Sequence, residues 1–397
     1  MSKLTLALVA FLQSARAHDA LAELSGDALK PAHALPTLTR LRKSFSMEEA
    51  SALLDLARTR QKAIAKFGDK AQAMLFTPDA LEQASHPLVR AYRASRFSGC
   101  VLDVCCGVGA DTLAMAAAGC DVLGVDNDPV RVAMAEHNAV VWGVTARFVV
   151  QDADTLGDCA GYDALFYDPS RRDDDGKRVF DVRTTQPPLD WLARWRVPYA
   201  GAKLAPSADW DDVRALGQQV EYVSVKGDMK EAILWRSPSL EGARPRLATL
   251  ITEDGAHTWA GEMPDAPPQA HVPQAYLHEP DASLLRAVEV ASLALAIGAH
   301  FLDPTIAYLT TAHPVRSLWA RSWRVQDWMP FQLKRLRAYL RERNLGRVTV
   351  KKRGFPMLPE ELLAQLKPKG DNACTLFMTR YDGNPIAIVC DADEIAL

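Results

Sequence analysis

Short apolar runs alternate with segments of helical periodicity through the middle of the chain. Strands that alternate with helices form doubly wound sheets, so residues 96 to about 255 are predicted to form an α/β domain with a largely parallel sheet. Gly227 and Asp228 predict a hairpin between the last two strands. The predicted strands are 101–104, 120–126, 146–150, 162–167, 197–204, 220–226 and 231–235.

Residues 1–95 have a different pattern, in which helical periodicity is broken by glycine and proline and no segment has a strand pattern. The longest predicted helix covers residues 47–66, where alanine and leucine recur at helical spacing. Arg58, Arg60, Lys62 and Lys66 gather at one end of this helix. Such a basic face is usually solvated, and contact with a polyanion is the alternative.

The last third of the chain predicts smaller α+β units. A proline-rich stretch at residues 263–268 marks a boundary. A helix is predicted from Ser283 to about Ile297. Residues 347–356 predict a strand and a basic turn, and residues 358–366 a helix. Asp382-Gly383 is a hairpin signal between two apolar segments, 373–380 and 385–390.

The composition is that of a globular protein. The chain has 397 residues, a net charge of −3 and 48% hydrophobic residues, which predicts about two to four domains. No run reaches the ~20 apolar residues of a membrane span, and the apolar start of the chain fits a helix as well as a signal peptide. Seven cysteines without metal-ligand spacing predict reduced, buried thiols in a cytoplasmic protein and no metal site.

One stretch, Val101–Thr112, combines a strand, a glycine turn and a helix start. Gly107 and Gly109 lack a Cβ, so a ligand can approach the backbone where the helix dipole is positive. A dinucleotide fingerprint needs a third glycine at position 112, which is Thr112, and Asp103 stands before the turn. The pattern predicts an anionic or carboxylate-bearing ligand. A plain tight turn is the alternative.

A second acid follows at βαβ spacing. Asp126 ends the next strand, 17 positions after Gly109, where a carboxylate reaches the ribose hydroxyls of a bound nucleoside. Asp128-Pro129 supplies the cap of the following helix. We therefore expect Asp126 to be free for a ligand.

The stretch from Asp103 to Thr112 resembles the first motif of class I S-adenosylmethionine-dependent methyltransferases. The resemblance implies a Rossmann-like sheet of seven strands that ends in an antiparallel hairpin, with S-adenosyl-L-methionine as the cofactor. It also implies that Asp103 faces the ammonium of the methionine moiety, that Gly107 and Gly109 face its carboxylate, and that Asp152 holds the adenine amino group. A simple turn aspartate is the alternative for Asp152.

The fourth strand delivers Asp168-Pro169-Ser170-Arg171-Arg172 to the carboxyl edge of the sheet, where ligands of open α/β sheets bind. The sequence resembles the Asp/Asn-Pro-Pro-aromatic motif of amino-group methyltransferases that act on nucleic-acid bases, but it has Ser170 and Arg171 at the last two positions. An arginine can stack on a base or bind a phosphate. Asp168, Pro169 and Arg171 are therefore the predicted catalytic residues, and an Asp-Pro turn with exposed arginines is the alternative.

Positive charge is concentrated near the C-terminus. Residues 316–370 contain 14 Lys and Arg and 4 Asp and Glu, a net charge of +10 in a chain of −3, with aromatic residues between the charges. This asymmetry predicts a polyanion site, and Lys351, Lys352 and Arg353, at the Gly354 turn, are the predicted RNA-binding residues. A basic helix with core aromatics is the alternative.

The segment around Lys351–Pro356 and the final hairpin resemble the THUMP-like domain that ends a family of bacterial class I methyltransferases. The resemblance implies four parts: a helical N-terminal region (1–95), a methyltransferase domain (96–262), a ferredoxin-like α+β unit (270–325) and a THUMP-like domain (326–397).

Together these features predict a cytoplasmic S-adenosylmethionine-dependent methyltransferase that modifies a base nitrogen in structured RNA, either tRNA or rRNA, with no membrane and no metal partner. Two alternatives stay open. One is a methyltransferase for a small molecule or a protein, and the other is a noncatalytic RNA-binding protein with a vestigial nucleoside pocket.

Overall fold

The computed structural model describes residues 4–170, 185–266 and 269–396. The chain divides into two units, each formed by two stretches of sequence. One unit is Met1–Val220 with Lys230–Pro245, and the other is Glu221–Met229 with Arg246–Leu397.

Helices alone precede the first strand within the described residues. The longest, α4, begins at a capping box in which the Ser46 hydroxyl accepts from the Glu49 N–H and the Glu49 carboxylate accepts from the Ser46 N–H. Apolar side chains of these helices share one core with Val108, Leu113 and Met134 of the following domain. The helices are α1 (Leu6–Leu12), α2 (Ala15–Ala22), α3 (Ala34–Leu41), α4 (Met47–Phe67), α5 (Pro78–Gln83) and α6 (Pro87–Ala94).

The basic residues of α4 bind backbone carbonyls. Arg58 donates to the carbonyls of residues 29 and 30, and Arg60 donates to those of residues 73 and 74. Lys66 donates to three carbonyls, at residues 81, 82 and 84. These three cations stabilise the packing of the helical region. Their side chains are therefore engaged within the protein, and the alternative in which they bind a polyanion is not supported. Lys62 is exposed.

The first sheet contains nine strands in the order β3-β2-β1-β4-β5-β7-β6-β8-β9. Neighbouring strands among β1 to β5 are parallel, and β7 is antiparallel to β5. Its strands are β1 (Cys100–Val104), β2 (Asp121–Asp126), β3 (Arg147–Val150), β4 (Ala164–Tyr167), β5 (Tyr199–Leu204), β6 (Gln219–Val225), β7 (Asp228–Arg236), β8 (Arg246–Thr252) and β9 (Gly255–Thr258). Helices α7 (Ala110–Ala117), α8 (Pro129–Trp142) and α9 (Trp210–Val213) lie between the strands in sequence.

The first seven strands have the order expected of a class I methyltransferase sheet. The strand order reverses between β1 and β4, and ligands of open α/β sheets bind at such a point. Strands β8 and β9 extend the sheet beyond the predicted seven. Sequence reasoning missed them, although residues 247–251 are mostly apolar and Asp254-Gly255 is a hairpin signal, because the sheet was expected to end after seven strands.

The second sheet has the order β11-β12-β10-β13-β16-β15-β14. Strands β14 and β15 pair in parallel, and the other neighbouring strands of this sheet are antiparallel. Its strands are β10 (Tyr276–Pro280), β11 (His300–Asp303), β12 (Ile306–Thr311), β13 (Ala320–Pro330), β14 (Leu345–Lys352), β15 (Asn372–Tyr381) and β16 (Asn384–Cys390). Its helices are α10 (Ala282–Ala287), α11 (Val290–Ile297), α12 (Leu333–Glu342) and α13 (Pro359–Leu366).

Two details of this sheet differ from the sequence predictions. The predicted helix from Ser283 to Ile297 is two helices, because Val288 has a left-handed conformation (φ 63°) that ends α10. Strand β13 runs through the predicted boundary at residues 325 and 326, so the two C-terminal modules share a strand. The predicted hairpin is present, and Asp382 and Gly383 both have positive φ (46° and 76°).

The aromatic residues of the basic segment belong mostly to the core. Trp319, Trp323, Tyr339 and Phe355 are buried, whereas Trp328 and Phe331 are half-buried. All seven cysteines are unpaired, and three of them, Cys100, Cys105 and Cys159, are only partly buried. Among the described residues, no helix combines the length and the apolar character needed to cross a bilayer.

Arg93 of α6 is a cation with almost no access to water (1% exposed). Its guanidinium forms ion pairs with Asp111, in the first turn of α7, and with Glu231 of β7. It also donates to the Ser85 hydroxyl (3.0 Å) and stacks on Phe166, with its Cζ 4.5 Å from the ring centroid. The helical region is thereby tied to the glycine turn and to the sheet.

We predict that replacing Arg93 by Met lowers the free energy of unfolding by about 3–5 kcal/mol, because two buried carboxylates lose their partner. Burial alone would raise the pKa of Asp111, but Arg93 holds it below its ordinary 3.8. A carboxyl with a lowered pKa stabilises the fold above that range, and this stabilisation is lost as the pH falls through the folded-state pKa. The stabilisation that the Arg93–Asp111 pair gives to the wild type should therefore be lost below about pH 4.

Urea unfolding monitored by circular dichroism measures both effects. Arg147→Met is the control, since Arg147 forms an exposed pair with Asp121 and surface pairs contribute 0–1 kcal/mol, roughly. A loss of equal size in both variants would show that the Arg93 network does not stabilise the fold beyond an ordinary surface pair.

Candidate functional site

The glycine turn between β1 and α7 is tight, and its two glycines have different neighbours. Gly107 (φ 59°) has open space where a Cβ would stand, and it lines a pocket. Gly109 (φ 83°) is the N-cap of α7, and a Cβ there would lie 3.1 Å from the Ala135 Cβ. Gly107 therefore leaves room for a ligand, whereas Gly109 allows the turn to pack against α8.

The N–H groups of both glycines are used within the protein. Gly107 donates to an Asp126 carboxylate oxygen (2.9 Å), and Gly109 donates to the Cys106 carbonyl (2.9 Å). Neither N–H group is therefore free to donate to a ligand unless it first gives up this partner. The close backbone approach at Gly107 is still available.

The pocket has a volume of about 510 Å³ and lies outside the carboxyl ends of β1, β2, β3 and β4. It brings together most of the residues predicted from the sequence for the cofactor and the acceptor. Gly107, Asp126, Asp152, Asp168 and Pro169 line it, but Asp103 and Gly109 do not.

Asp126 is buried at the pocket wall and is not free. Its two carboxylate oxygens accept from the N–H groups of Gly107 (2.9 Å) and Asp128 (3.0 Å). Asp128 caps α8 as predicted, through the Val130 N–H. Each Asp126 oxygen keeps a second lone pair, so the carboxylate can still accept from a ligand. Burial raises its pKa above the ordinary value.

Asp103 lies behind the pocket. One of its carboxylate oxygens accepts from the Thr112 hydroxyl, and the other is buried without a hydrogen-bond partner among the described residues. Burial and the nearby Asp111 raise the pKa of Asp103 well above its ordinary value. Its predicted direct contact with the ligand therefore requires a local rearrangement, whereas its contact with Thr112 already orders the start of α7.

Asp152 is exposed and lines the pocket after β3. One carboxylate oxygen accepts from the Asp154 N–H (3.0 Å), which leaves the other available to a ligand. Trp191 also lines the pocket. The Arg194–Asp154 ion pair (3.2 Å) links the short 3-10 helix that carries Trp191 to the Asp152 turn.

Asp168 follows β4, and its carboxylate is paired. Lys203 of β5 places its Nζ 2.7 Å from the Asp168 Oδ2, with the lysine side chain 6% and the aspartate side chain 26% exposed. Pro169 lines the pocket beside it. Arg171 and Arg172 lie outside the described residues.

Two contributors to the pocket were missed from the sequence. Lys203 is one, and the signal was a single lysine in the otherwise apolar strand β5. The other is the segment after α5, where Ala80, Glu82, Gln83 and Ala84 form part of the wall. No local signal indicates the second, because the contact depends on how the helical region packs.

The two cysteines of the turn have no sign of activation. Cys105 lines the pocket with φ 65°. Burial, followed by the nearby carboxylates, raises the pKa of Cys105 and that of Cys106 well above the ordinary thiol value. The thiols are therefore protonated and poorly nucleophilic.

The predicted RNA-binding residues are held by a buried acid of the second unit. Lys351 and Arg353 pair with the carboxylate of Glu279 (2.5 and 3.4 Å), which also pairs with Arg321 (3.0 Å). Lys352 donates to the Phe355 carbonyl (3.4 Å). The three predicted cations are half-buried.

The backbone of Gly354, at the turn that follows these cations, is closely packed. A Cβ at this position would overlap Ile306, and the residue has φ 68°. The glycine is required by packing and by its left-handed backbone conformation. The exposed cations of the basic segment lie mainly elsewhere, at Lys334, Arg335, Arg341 and Arg347.

Comparisons with known proteins agree with this geometry. Residues 98–169 match the family described as RNA cap guanine-N2 methyltransferase, and residues 320–392 match the family described as THUMP domain-like. Two proteins of Mycobacterium tuberculosis, strains CDC 1551 and H37Rv, are described as uncharacterized S-adenosylmethionine-dependent methyltransferases. Each is 31% identical to this chain over 351 residues, which are 86% of this chain and 96% of the relative. A Porphyromonas gingivalis W83 structure described as a methyltransferase aligns over 98% of both chains, with a TM-score of 0.72 at 20% identity, and has the same fold.

We predict that Gly107→Ala keeps the fold but weakens binding of S-adenosylhomocysteine, because its new Cβ enters the pocket. The left-handed backbone adds a strain of roughly 1–2 kcal/mol. Gly109→Ala should lose more stability, because its Cβ also meets Ala135 and Phe148.

Calorimetric titration and thermal unfolding of the two variants measure these effects, and Gly143→Ala is the control. Gly143 also has a left-handed conformation (φ 77°) and open space around a Cβ, but it does not line the pocket. Equal affinity in the Gly107 and Gly143 variants would show that the ligand does not approach Gly107.

Proposed function

The chain belongs to the family of S-adenosylmethionine-dependent methyltransferases that includes the two mycobacterial relatives, and from that membership we propose that it methylates a base nitrogen in structured RNA, either tRNA or rRNA. One observation carries the proposal. The Asp168-Pro169 end of β4 lines the same pocket as Gly107, Asp126 and Asp152, so an acceptor group and the methyl donor can meet there.

The residues of the pocket suit the cofactor. The open space at Gly107 admits the methionine moiety, Asp126 offers lone pairs to the ribose hydroxyls, and Asp152 offers one to the adenine amino group. After the local rearrangement that a direct contact requires, the partnerless oxygen of Asp103 can accept a hydrogen bond from the ammonium of the methionine moiety. When bound, S-adenosylmethionine supplies a methyl group on a sulfonium, a leaving group that needs no metal.

We assign Asp168 and Pro169 to the acceptor. A carboxylate that accepts a hydrogen bond from an exocyclic amine turns the nitrogen lone pair toward the donor, and correct positioning is the main requirement of methyl transfer. The match to the RNA cap guanine-N2 methyltransferase family covers residues 98–169 and so includes Asp168 and Pro169. This match supports a nucleic-acid base as the acceptor. Arg171 is proposed to stack on the base or to bind its phosphate.

We assign RNA docking to the basic segment, residues 316–370, with Lys351, Lys352 and Arg353 among its contacts. Its +10 charge favours a polyanion, and the THUMP-like match covers most of it. Glu279 neutralises one of the three positive charges that converge on it, so this cluster keeps a net charge of about +2.

The direct test compares nucleosides from the total RNA of a strain that lacks the gene with those of its parent, by mass spectrometry. The proposal expects one methylated base to disappear in the deletion strain and to return when purified protein and S-adenosylmethionine are added to its RNA. Transfer of labelled methyl groups to the protein or small-molecule fraction alone would instead favour the alternative methyltransferase.

We predict that replacing Asp168 and replacing Asp152 affect different steps, methyl transfer in the first case and cofactor binding in the second. Asp168→Ala should abolish methyl transfer while the affinity for S-adenosylhomocysteine changes by no more than about twofold. Asp152→Ala should weaken cofactor binding by about 1.5–3 kcal/mol, the value of a hydrogen bond to a charged group, and keep its turnover when the cofactor is saturating. Calorimetry and a labelled-methyl assay check both. If Asp168→Ala loses the cofactor and keeps its fold, Asp168 belongs to the cofactor site.

We predict that removing the three cations at residues 351–353 flattens the salt dependence of RNA binding. The slope of log K against log salt should fall by about two, at roughly 0.7 per single-strand phosphate contact. The variant is K351A/K352A/R353A with E279Q. The E279Q change is added because the buried Glu279 carboxylate would otherwise lose two of its cationic partners, Lys351 and Arg353. Filter binding at several salt concentrations is the measurement.

The control variant R42A/K43A/K62A removes three exposed cations from the helical region, and its slope should not change. If both variants bind RNA with the parental slope, the predicted cations make no phosphate contacts. A flattened slope in the control alone would move the docking surface to the helical region.

A further inference from the structure

Lys203 makes a second contact besides the one to Asp168. Its Nζ lies 3.4 Å from the carbonyl oxygen of Gln83, at the end of α5. One buried ammonium therefore connects the acid that follows β4 with the segment from the helical region that lines the pocket. Burying a charge is costly unless it is paired, so both partners are part of what keeps Lys203 in place.

The segment at residues 80–84 is fixed from several sides. The Lys66 Nζ donates to the carbonyls of residues 81, 82 and 84 at 2.6–3.2 Å. Arg93 donates to the hydroxyl of the following residue, Ser85 (3.0 Å). The shared contact with Lys203 places this segment at the Asp168 end of the pocket. It is the wall that an acceptor bound at Asp168 would meet.

Carboxylates outnumber cations around this pair among the described residues. Five titratable groups lie within electrostatic range of Asp168 or Lys203. They are Asp103 of β1, Cys105 of the turn after it, Asp111 of α7, Tyr167 of β4 and Lys66 of α4. Asp103 lies within electrostatic range of Asp168, and Asp111 lies within electrostatic range of Lys203. Lys203 is the cation in direct contact with Asp168.

We propose that Lys203 is a positioning residue for methyl transfer, whose positive charge and hydrogen bond hold the Asp168 carboxylate in one orientation against the acceptor wall at residues 80–84. The proposal rests on the assignment of Asp168 to the acceptor in the proposed function. It also gives the helical region a role in the reaction, because that region supplies the wall and one of the two partners of Lys203.

The test compares the pH profiles of wild type, Lys203→Gln and Lys203→Arg. Gln keeps a donor without the charge, so Asp168 should take up a proton more easily. We expect the acid limb of kcat to move to higher pH by about one unit or more, since a neighbouring cation lowers a carboxyl pKa by about 1–3 units. Arg should restore much of the profile. The affinity for S-adenosylhomocysteine should change by no more than about twofold in either variant.

Lys226→Gln is the matched control, because Lys226 forms an exposed pair with Glu253 (2.6 Å), and its profile should equal that of wild type. A kcat that falls equally at every pH in Lys203→Gln would overturn the proposal and leave a structural role. A loss of cofactor affinity that accounts for the fall in turnover would overturn it as well.

The acceptors are the RNA, protein and small-molecule fractions of one extract from the deletion strain. If wild type labels a fraction other than RNA, the proposed function fails. The pH profiles of kcat are then measured with that fraction as the acceptor, and they still test the role of Lys203.

A second measurement needs no acceptor. Carbodiimide coupling of glycine amide to protonated carboxyls, mapped by peptide mass spectrometry, gives the protonation midpoint of Asp168. An unchanged midpoint in Lys203→Gln would contradict the proposal.

Discussion

The buried guanidinium of Arg93 is the constraint from which the pocket side of the fold follows. A buried cation must be paired, and its two carboxylates come from different parts of the chain, the first turn of α7 and strand β7. Because Arg93 itself lies in α6, its pairs fix the helical region against the sheet and the glycine turn at once. The helical region can therefore supply one wall of the pocket, at residues 80–84, without being part of the sheet.

Asp103 and Asp111, which flank the glycine turn in sequence, differ in pKa because they have different partners. Arg93 keeps Asp111 ionised in spite of its burial, with a lowered pKa. Asp103 has the Thr112 hydroxyl as a partner and a second acid close by, so its pKa rises. Asp168 has Lys203 at 2.7 Å. Burial alone therefore does not decide the pKa of Asp103 and Asp111, because their partners differ.

Much of the fold was predictable from the sequence, because strands β1 to β4 are short apolar runs that end in glycine or acid signals. The positions of Gly107, Asp126, Asp152 and Asp168 around one pocket follow from parallel strands whose carboxyl ends share an edge. Side-chain partners were not predictable. That Asp126 binds the Gly107 N–H, or that Lys203 reaches Asp168, depends on packing between residues far apart in sequence.

The basic segment shows how partners change the meaning of a charge count. Fourteen cations between residues 316 and 370 suggest one continuous polyanion surface. In the fold, three of them converge on Glu279 and their neighbouring aromatics form the core, including Trp323 and Phe377 beneath Lys351. Glu279 neutralises one of these three positive charges, so the cluster carries a reduced net charge. Among the described residues, exposed cations of α12 such as Lys334 and Arg335 have no such carboxylate partner. Each of them therefore contributes more positive potential to the surface than a cation of the Lys351–Arg353 turn. The run of three cations at residues 351–353 is nevertheless the more conspicuous pattern in the sequence.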